Sequence, residues 1–359
     1  MTARHGFISP TGRSPWGLLI ILCLQLVLPG CSVSYLLQAA AGQFRILNNS
    51  VPLETALADP GLDPDQREKL LLVPRIKAFG EEELGLAATD NYETVYLQDE
   101  KNPVYSVSAA RKTRLQPVTW WFPVVGRVPY LGYFDPEAAG AKKEELQREG
   151  FDAVIWPAEA YSTLGWFQDP VHKNLLEGSA ADLAETILHE MTHATLYVKS
   201  EPLFNESLAS LIGKRGALAF LEREFGPESP QARGMRSLVH DERLFSRALD
   251  PLFTRLHELY NGPLTEEEKL AAREEVFQRF LEDYERMSTH YQTDRFKGFG
   301  SGGLNNAYIL TVALYHRHFN LFESVLEKTN GSIPEALGVF REISAAEEDL
   351  ILRTREWLE

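Results

Sequence analysis

The spacing of apolar residues changes about halfway along the chain, and this change predicts two parts of different structure. Between residues 92 and 156 the apolar residues are largely aromatic or β-branched and occur in short runs, as they do in β-strands. Strands are predicted at 92–97, 104–108, 118–122, 151–156 and 161–167. Prolines and glycines between these runs mark turns. The pattern indicates a small, strand-rich N-terminal half that also contains helices at 63–72 and 136–150.

Beyond Ser179 the apolar residues recur at helical spacing almost to the end of the chain. Helices are predicted near 180–198, 206–224, 230–258, 264–290, 305–329 and 333–357. We therefore predict an α+β fold in which a predominantly helical half follows the strand-rich half. Residues 61–359 are expected to form a single domain, with a mixed α/β part at 61–178 and a helical part at 179–359.

The first residues of the chain have the pattern of an export signal. Arg4 and Arg13 precede an apolar run from Leu18 to Leu28. A span of the bilayer needs about 20 residues, so this run is too short to cross a membrane but is typical of a signal peptide. We predict a signal peptide at 1–30.

The end of this run, Leu28-Pro-Gly-Cys31, resembles the bacterial lipobox, in which the cysteine is acylated. The resemblance implies a lipid anchor at Cys31, a tether at 31–60 and a place in the bacterial envelope. Because the next residue is Ser32 rather than aspartate, the outer membrane, facing the periplasm, is the expected site. The alternative is an uncleaved apolar anchor with a chance thiol.

The charge of the chain excludes one class of partner. The formal net charge is −15, and the sequence contains no stripe of basic residues. A nucleic-acid-binding protein needs such a stripe to neutralise phosphates. We therefore expect no nucleic-acid partner.

The main candidate for chemistry is His189-Glu-Met-Thr-His193, which lies within the first predicted helix of the C-terminal half. Ser179 suits an N-cap, and Asp182 follows three residues later, as in a capping box. The apolar positions of this helix form one stripe: Leu183, Ile187, Met191, Ala194 and Val198. The two histidines project from the opposite face, one turn apart, which is the arrangement that chelates a divalent metal ion. The alternative is a pair of surface histidines on an amphipathic helix.

A zinc ion needs a third protein ligand and an open position for water. Glu206 is the preferred ligand, because it opens the next predicted helix, and an antiparallel helix pair would bring it to the depth of the histidines. Glu201 and Asp182 are the fallback ligands, and Glu206 could instead be a helix-start acid beside an Asn205 cap. Glu190 is expected to take a proton from a zinc-activated water and pass it to the leaving amine.

These residues resemble the predicted zinc aminopeptidases of the bacterial envelope, a gluzincin-like family. The motifs that carry the resemblance are His189–His193, Phe204–Ala209, Trp121–Gly126, Tyr130–Phe134, Ala160–Pro170 and Leu304–Ala307. The resemblance covers essentially the whole mature chain. It implies one zinc ion per chain, held by His189, His193 and Glu206, with Glu190 as the catalyst and a peptide as the substrate.

The chain departs from better-known gluzincins at two points. The gap between His193 and Glu206 is shorter than usual, which predicts a tight antiparallel helix pair. Ser210 stands where thermolysin-like enzymes place an aspartate that orients a histidine. The partner that orients the ligand histidines is therefore open, and Asp182 or a backbone carbonyl could serve.

Two stretches are candidates for substrate binding. Residues Tyr161, Ser162, Thr163, Leu164 and Gly165 fit an edge strand, above the active-site helix, that pairs with the substrate backbone, or else a buried strand with a turn glycine. Asn305, Asn306 and Tyr308 follow a glycine-rich loop and could donate hydrogen bonds to substrate or to an oxyanion. A helix cap at Asn305 with ordinary core neighbours is the alternative.

Three functions are compatible with this pattern. The first is a zinc aminopeptidase, although the aminopeptidase part comes from the resemblance alone, because no recognised Gly-x-Met-Glu-Asn element for a free α-amine is present. The second is a zinc endopeptidase that acts on envelope proteins. The third is a catalytically idle envelope lipoprotein that binds a partner through its helical half.

Overall fold

The computed structural model describes residues 33–98, 104–158, 168–346 and 348–359. Small sheets lie in the N-terminal half of the chain and helices make up the C-terminal half, so the predicted α+β class is confirmed. The signal peptide and Cys31 lie outside the described residues. The strand predicted at 161–167 lies outside them as well.

The strands are short and pair into small sheets. In chain order they are β1 (Ser50–Pro52), β2 (Thr94–Tyr96), β3 (Val104–Ala110), β4 (Trp120–Phe122), β5 (Gly126–Val128), β6 (Tyr130–Tyr133), β7 (Asp152–Ala158) and β8 (Val171–His172). β3 lies between β6 and β7 and is antiparallel to both. β2 lies between β1, which is antiparallel to it, and β8, which is parallel. β4 and β5 form a hairpin.

The helices are α1 (Val33–Asn48), α2 (Leu53–Leu57), α3 (Pro64–Glu82), α4 (Pro136–Arg148), α5 (Ala180–Thr195), α6 (Pro202–Phe225), α7 (Pro230–Asn261), α8 (Glu266–Ser288), α9 (Asn306–His316), α10 (Phe319–Lys328), α11 (Ile333–Ser344) and α12 (Leu350–Leu358). Side-chain caps fix where several of them start, and full capping boxes are present at Asp63, Ser179 and Thr265. In the described part of the chain, no helix combines the length and apolarity that a membrane span requires.

The described residues of the predicted tether are folded, which is a correction. α1 packs on the sheet of β3, with the Tyr35 ring 5.3 Å from the Tyr133 ring, and β1 pairs with β2. The physical reason is that the apolar spacing near the start of α1 continues to Ile46, which is fully buried. Residues 33–60 therefore belong to the domain.

Several helix boundaries also differ from the prediction. The single helices expected at 305–329 and 333–357 are each two helices, and Asp349 caps the last of them through the backbone amides of Ile351 and Leu352. α6 begins at Pro202 rather than at Glu206, because proline is well tolerated in the first turn of a helix. Apolar spacing alone does not reveal these breaks.

The pair α5 and α6 forms the centre of the helical half. Leu183 and Ile187 of α5 and Leu208 of α6 are fully buried in the same apolar cluster. The axes approach closely at Gly213, where an added Cβ would lie 2.9 Å from the Glu185 carbonyl oxygen and 3.1 Å from the His189 Cβ. A side chain at this position would push the helices apart, so the glycine sets the distance between them.

Candidate metal centre and active site

His189 and His193 lie one turn apart on α5, on the side that faces α6. Their ring centroids are 4.9 Å apart and the rings are nearly perpendicular. The capping box of Ser179 and Asp182 fixes where α5 begins, and the buried apolar stripe fixes its rotation. The positions of both imidazoles therefore follow from the start and the rotation of α5.

Glu206 completes the group from the second turn of α6. Its Oε2 lies 3.2 Å from His189 Nε2 and 3.4 Å from His193 Nε2. The ligand atoms of the three residues all lie within 4.8 Å of one another, so this triad could hold a metal ion. The structure thus brings the three predicted ligands together.

The connection between α5 and α6 explains how Glu206 reaches the histidines over so short a gap. α5 ends at Thr195, earlier than predicted, and the chain becomes extended at Leu196. The Asn205 amide then clamps the connection: its Oδ1 accepts from the Val198 amide at 2.9 Å and its Nδ2 donates to the Val198 carbonyl at 2.8 Å. This clamp sits immediately before Glu206.

The two fallback ligands lie elsewhere. Glu201 is the N-cap position of α6. Asp182 accepts hydrogen bonds from the Ser179 amide and hydroxyl and pairs with Arg295 at 3.2 Å, so it caps α5 rather than orienting a histidine. His193 Nδ1 is buried and has no hydrogen-bond partner within the described ranges, so no described residue orients this ring through Nδ1.

Glu190, the predicted catalyst, lies beside the triad and is 8% exposed. Burial raises the pKa of its carboxyl, and the nearby Glu206 carboxylate adds to this, while His189 and His193 act in the opposite direction. The pKa of Glu206 behaves differently. Burial would raise it, but His193 and His189 outweigh burial and hold the pKa at about 2.

The donor set of this site fits zinc. Two imidazole nitrogens and one carboxylate oxygen are the ligands of many catalytic zinc sites, which leave a further position open. Burial would lower the pKa of His193, but the Glu206 carboxylate outweighs burial and raises it. The Glu206 carboxylate therefore favours a positive charge beside it, and a divalent cation would supply one.

A comparison with known protein families matches residues 34–350 to the family described as "Putative aminopeptidase". The match covers most of the chain. The chain belongs to this family. Neither the curated proteins nor the solved structures yield a match.

Membership of the putative aminopeptidase family points to peptidase activity, and the triad with Glu190 lies inside the matched region. The matched region begins within α1, so the helix that was predicted as a tether is part of what the family shares. The predicted aminopeptidase resemblance is therefore supported at the level of the family.

Tyrosines for which the sequence predicts no role lie around the triad. The Tyr315 ring of α9 lies 6.2 Å from the His189 ring, and the Tyr197 ring lies 6.1 Å from the His193 ring. Burial raises the pKa of Tyr315 and of Tyr130 in β6, and both Glu206 and Glu190 add to the increase. All three phenols are thus potential hydrogen-bond donors at the site.

Only one of these tyrosines carried a usable signal in the sequence. Tyr197 follows His193 by four residues, so a helical reading places it on the ligand face. Tyr130 belonged to a family motif without an assigned role. Tyr315 reaches His189 only because α9 packs on α6, which no local pattern indicates.

The predicted substrate-binding residues have mixed outcomes. Residues 161–165 lie outside the described residues. Asn305 caps α9 by accepting from the Tyr308 amide at 2.9 Å, and the Tyr308 ring stacks on Phe299. Asn305 is therefore a helix cap, and Tyr308 is one of its core neighbours.

Asn306 requires a correction. It is fully buried, and its amide donates to the carbonyls of Arg111 and Lys112 while it accepts from the Tyr260 hydroxyl at 2.9 Å. The side chain ties α9 to the turn after β3. It is therefore a scaffold residue and is not accessible to substrate.

Proposed function

We propose that this protein is a zinc-dependent peptidase, and specifically an aminopeptidase. The observation that carries the proposal is the convergence of His189, His193 and Glu206, with Glu190 buried beside them. The family supports the peptidase class, and the donor set supports zinc as the metal.

His189, His193 and Glu206 would hold one zinc ion per chain. When bound, zinc supplies Lewis-acid activation of water and of the scissile carbonyl group. Proton transfer and stabilisation of the oxyanion are then carried out by side chains of the protein.

Glu190 is the general base and then the general acid. It accepts a proton from the attacking water and returns that proton to the nitrogen of the departing amine, so its charge is restored after each cycle. Its burial keeps bulk water from competing for this proton. Glu190 follows His189 directly on α5, so the helix that holds the ligands also holds the base.

Tyr315 is our candidate for stabilising the oxyanion that develops on the scissile carbonyl. Its ring lies 6.2 Å from the His189 ring, and a phenol can donate one hydrogen bond to such an oxygen. The corresponding variant, Tyr315→Phe, is expected to lower kcat more than it raises KM, because the bond strengthens in the transition state.

The choice between aminopeptidase and endopeptidase is tested with matched peptides. One set has a free N-terminus and the other is N-acetylated, and both are incubated with wild type and with Glu190→Gln. We expect release of the first residue from free peptides only, and no cleavage by the variant. Cleavage of blocked peptides at internal bonds would favour the endopeptidase instead. Stoichiometric zinc without cleavage of either set would contradict the peptidase assignment.

We further propose that the mature protein is anchored by acylation of Cys31 and acts in the envelope, at the outer membrane facing the periplasm. The support is the apolar run that ends at Leu28 and the cysteine that follows. Metabolic labelling with a fatty acid is expected to label wild type and not Cys31→Ser. Labelling of both forms, or of neither, would contradict the anchor.

A further inference from the structure

α1 is apolar on two faces, and within the described part of the chain only one of them is covered. On the inner face, the Tyr35 hydroxyl accepts a hydrogen bond from the Gly132 amide at 3.2 Å, and Ile46 is fully buried. Gly42 touches the Phe134 ring so closely that a Cβ there would overlap it. These contacts fix the rotation of the helix and therefore fix which residues point outward.

The outer face presents Leu37 and Phe44 to solvent. They are 66% and 58% exposed, the highest values among the large apolar side chains of the described residues. They lie seven residues apart, which places them two turns apart on one side of a helix. The exposed Ala40 and Ala41 lie between them. We call these four residues the outer stripe.

The charge of α1 also sets it apart. The chain has 51 acidic residues, yet α1 contains no aspartate or glutamate, and its one charged residue is the exposed Arg45. An anionic surface would therefore not be repelled by this helix, whereas it would be repelled by most of a chain whose net charge is −15.

The position of α1 in the chain indicates that the surface it contacts is a lipid bilayer. The helix begins two residues after Cys31, and the apolar run from Leu18 to Leu28 precedes that cysteine. A chain that is held at a bilayer through this region must place α1 next to the lipid headgroups.

We propose that the outer stripe of α1 lies on the surface of an anionic phospholipid bilayer, with Leu37 and Phe44 inserted at the boundary between headgroups and acyl chains. The proposal rests on the envelope location proposed above, but it does not depend on peptidase activity. It gives the lipid anchor a second, non-covalent contact with the bilayer. It also orients the domain, because α1 is fixed to the sheet of β3.

The test uses the chain from Ser32 to Glu359, which retains every described residue and contains neither cysteine. Co-sedimentation is measured with vesicles of phosphatidylethanolamine and phosphatidylglycerol. Leu37→Glu combined with Phe44→Glu is expected to weaken binding on the order of tenfold or more. The matched control is Leu71→Glu combined with Leu352→Glu, two equally exposed leucines (51% each) on α3 and α12, and it should bind like wild type.

A second measurement locates the contact directly. Because this chain has no cysteine, Phe44→Cys and Leu71→Cys each give a single site for a nitroxide label. With vesicles, the label at residue 44 should become accessible to dissolved oxygen and protected from a water-soluble nickel complex, and the label at residue 71 should not change.

Three outcomes would overturn the proposal. The first is equal vesicle binding by wild type and the Leu37/Phe44 variant. The second is a label at residue 44 that stays as accessible to water as the label at residue 71. The third is a dimer in solution that the Leu37/Phe44 substitution dissolves, because the stripe would then belong to a second copy of the chain. Acylation and peptide cleavage are measured separately, so their failure is distinguishable from failure here.

Discussion

Two buried polar clusters lie between α5 and α6, and they differ in how their charge is balanced. The histidine cluster consists of His189, Glu190, His193 and Glu206. The lysine cluster consists of Glu185, Lys214, Glu242 and His316. In the lysine cluster, Lys214 Nζ lies 2.8 Å from Glu185 and 3.5 Å from Glu242, and Glu242 in turn lies 2.7 Å from His316 Nδ1.

In the lysine cluster the buried carboxylates face cationic side chains: Lys214 lies between Glu185 and Glu242, and Arg295 pairs with Glu185 at 3.9 Å. Burial would lower the pKa of Lys214, but the carboxylates of Glu185 and Glu242 outweigh burial and raise it, so the ammonium stays charged. In the histidine cluster, Glu190 and Glu206 form no ion pair with a lysine or arginine of the described chain. Buried carboxylates need a compensating cation. The comparison indicates that the lysine cluster is structural, whereas the histidine cluster, in which Glu206 faces only histidines, could hold a metal ion.

The two clusters share their helices. Glu185 lies one turn before His189 on α5, and Lys214 lies about two turns after Glu206 on α6. His316 follows Tyr315, which reaches the His189 ring. A change in the lysine cluster should therefore alter stability first and the site second, whereas a change in the histidine cluster should do the reverse.

The largest expected effect separates the two clusters by activity. Glu190→Gln should lower kcat by about 10²–10⁴-fold, because it removes the proton acceptor while zinc remains bound. Its matched control is Glu185→Gln, a carboxylate on the same helix that belongs to the lysine cluster and should leave kcat within about tenfold of wild type. Steady-state kinetics with a free peptide and zinc analysis check both. Equal losses of kcat would erase the distinction between the clusters.

The next effect concerns stability. Lys214→Ala removes the lysine that Glu185 and Glu242 share and should lower the free energy of unfolding by about 3–5 kcal/mol. The control, Lys297→Ala, removes a surface pair with Asp294 and should cost less than about 1 kcal/mol. Urea denaturation measures both values. A loss of similar size in the two variants would mean that the lysine cluster is not a structural centre.

A smaller effect tests how the distance between α5 and α6 acts on the metal. Gly213→Ala places a methyl group against the Glu185 carbonyl and the His189 Cβ, so it should move Glu206 away from the histidines and weaken zinc binding by about 10- to 100-fold. Gly234→Ala on α7 meets open space and should leave zinc affinity unchanged. Competition with a chelator provides the affinities. Unchanged affinity in Gly213→Ala would show that the site tolerates a wider helix pair.

The smallest effect is a pH dependence of stability in the lysine cluster. Burial would raise the pKa of Glu242, but His316 and Lys214 outweigh burial and lower it below the ordinary value. Stability from this carboxylate is therefore fully present above its unfolded pKa and is lost as pH falls through the lower, folded pKa. Melting temperatures from pH 7 to pH 3 should fall less steeply in Glu242→Gln than in wild type. Parallel curves would argue against the ion pairs.

The sequence was sufficient for features that depend on local pattern. The cap at Ser179, the apolar stripe of α5 and the spacing of His189 and His193 determine one helix, and that helix has the predicted rotation. Glu206 was found because the antiparallel pairing of consecutive helices follows from a short connection. These features are all encoded within a few turns of chain.

Features that depend on distant packing were not predictable. The lysine cluster joins α5, α6, α7 and α9, and no spacing in the sequence indicates that Glu242 and His316 meet. Asn306 looked like a substrate ligand because a glycine-rich loop precedes it, yet its amide is used to hold the turn after β3. Similarly, the sequence of α1 does not show that one face of the helix packs on the sheet of β3, so the segment is predicted as a tether.

The most direct test of the central claim is the metal content of the purified protein. Elemental analysis of wild type, His193→Ala and Lys214→Ala compares the two clusters in one experiment. We predict one zinc ion per chain in wild type, loss of zinc in His193→Ala and retention of zinc in any folded Lys214→Ala. Wild type that neither contains nor takes up zinc, or His193→Ala that keeps it at full stoichiometry, would contradict the metal centre.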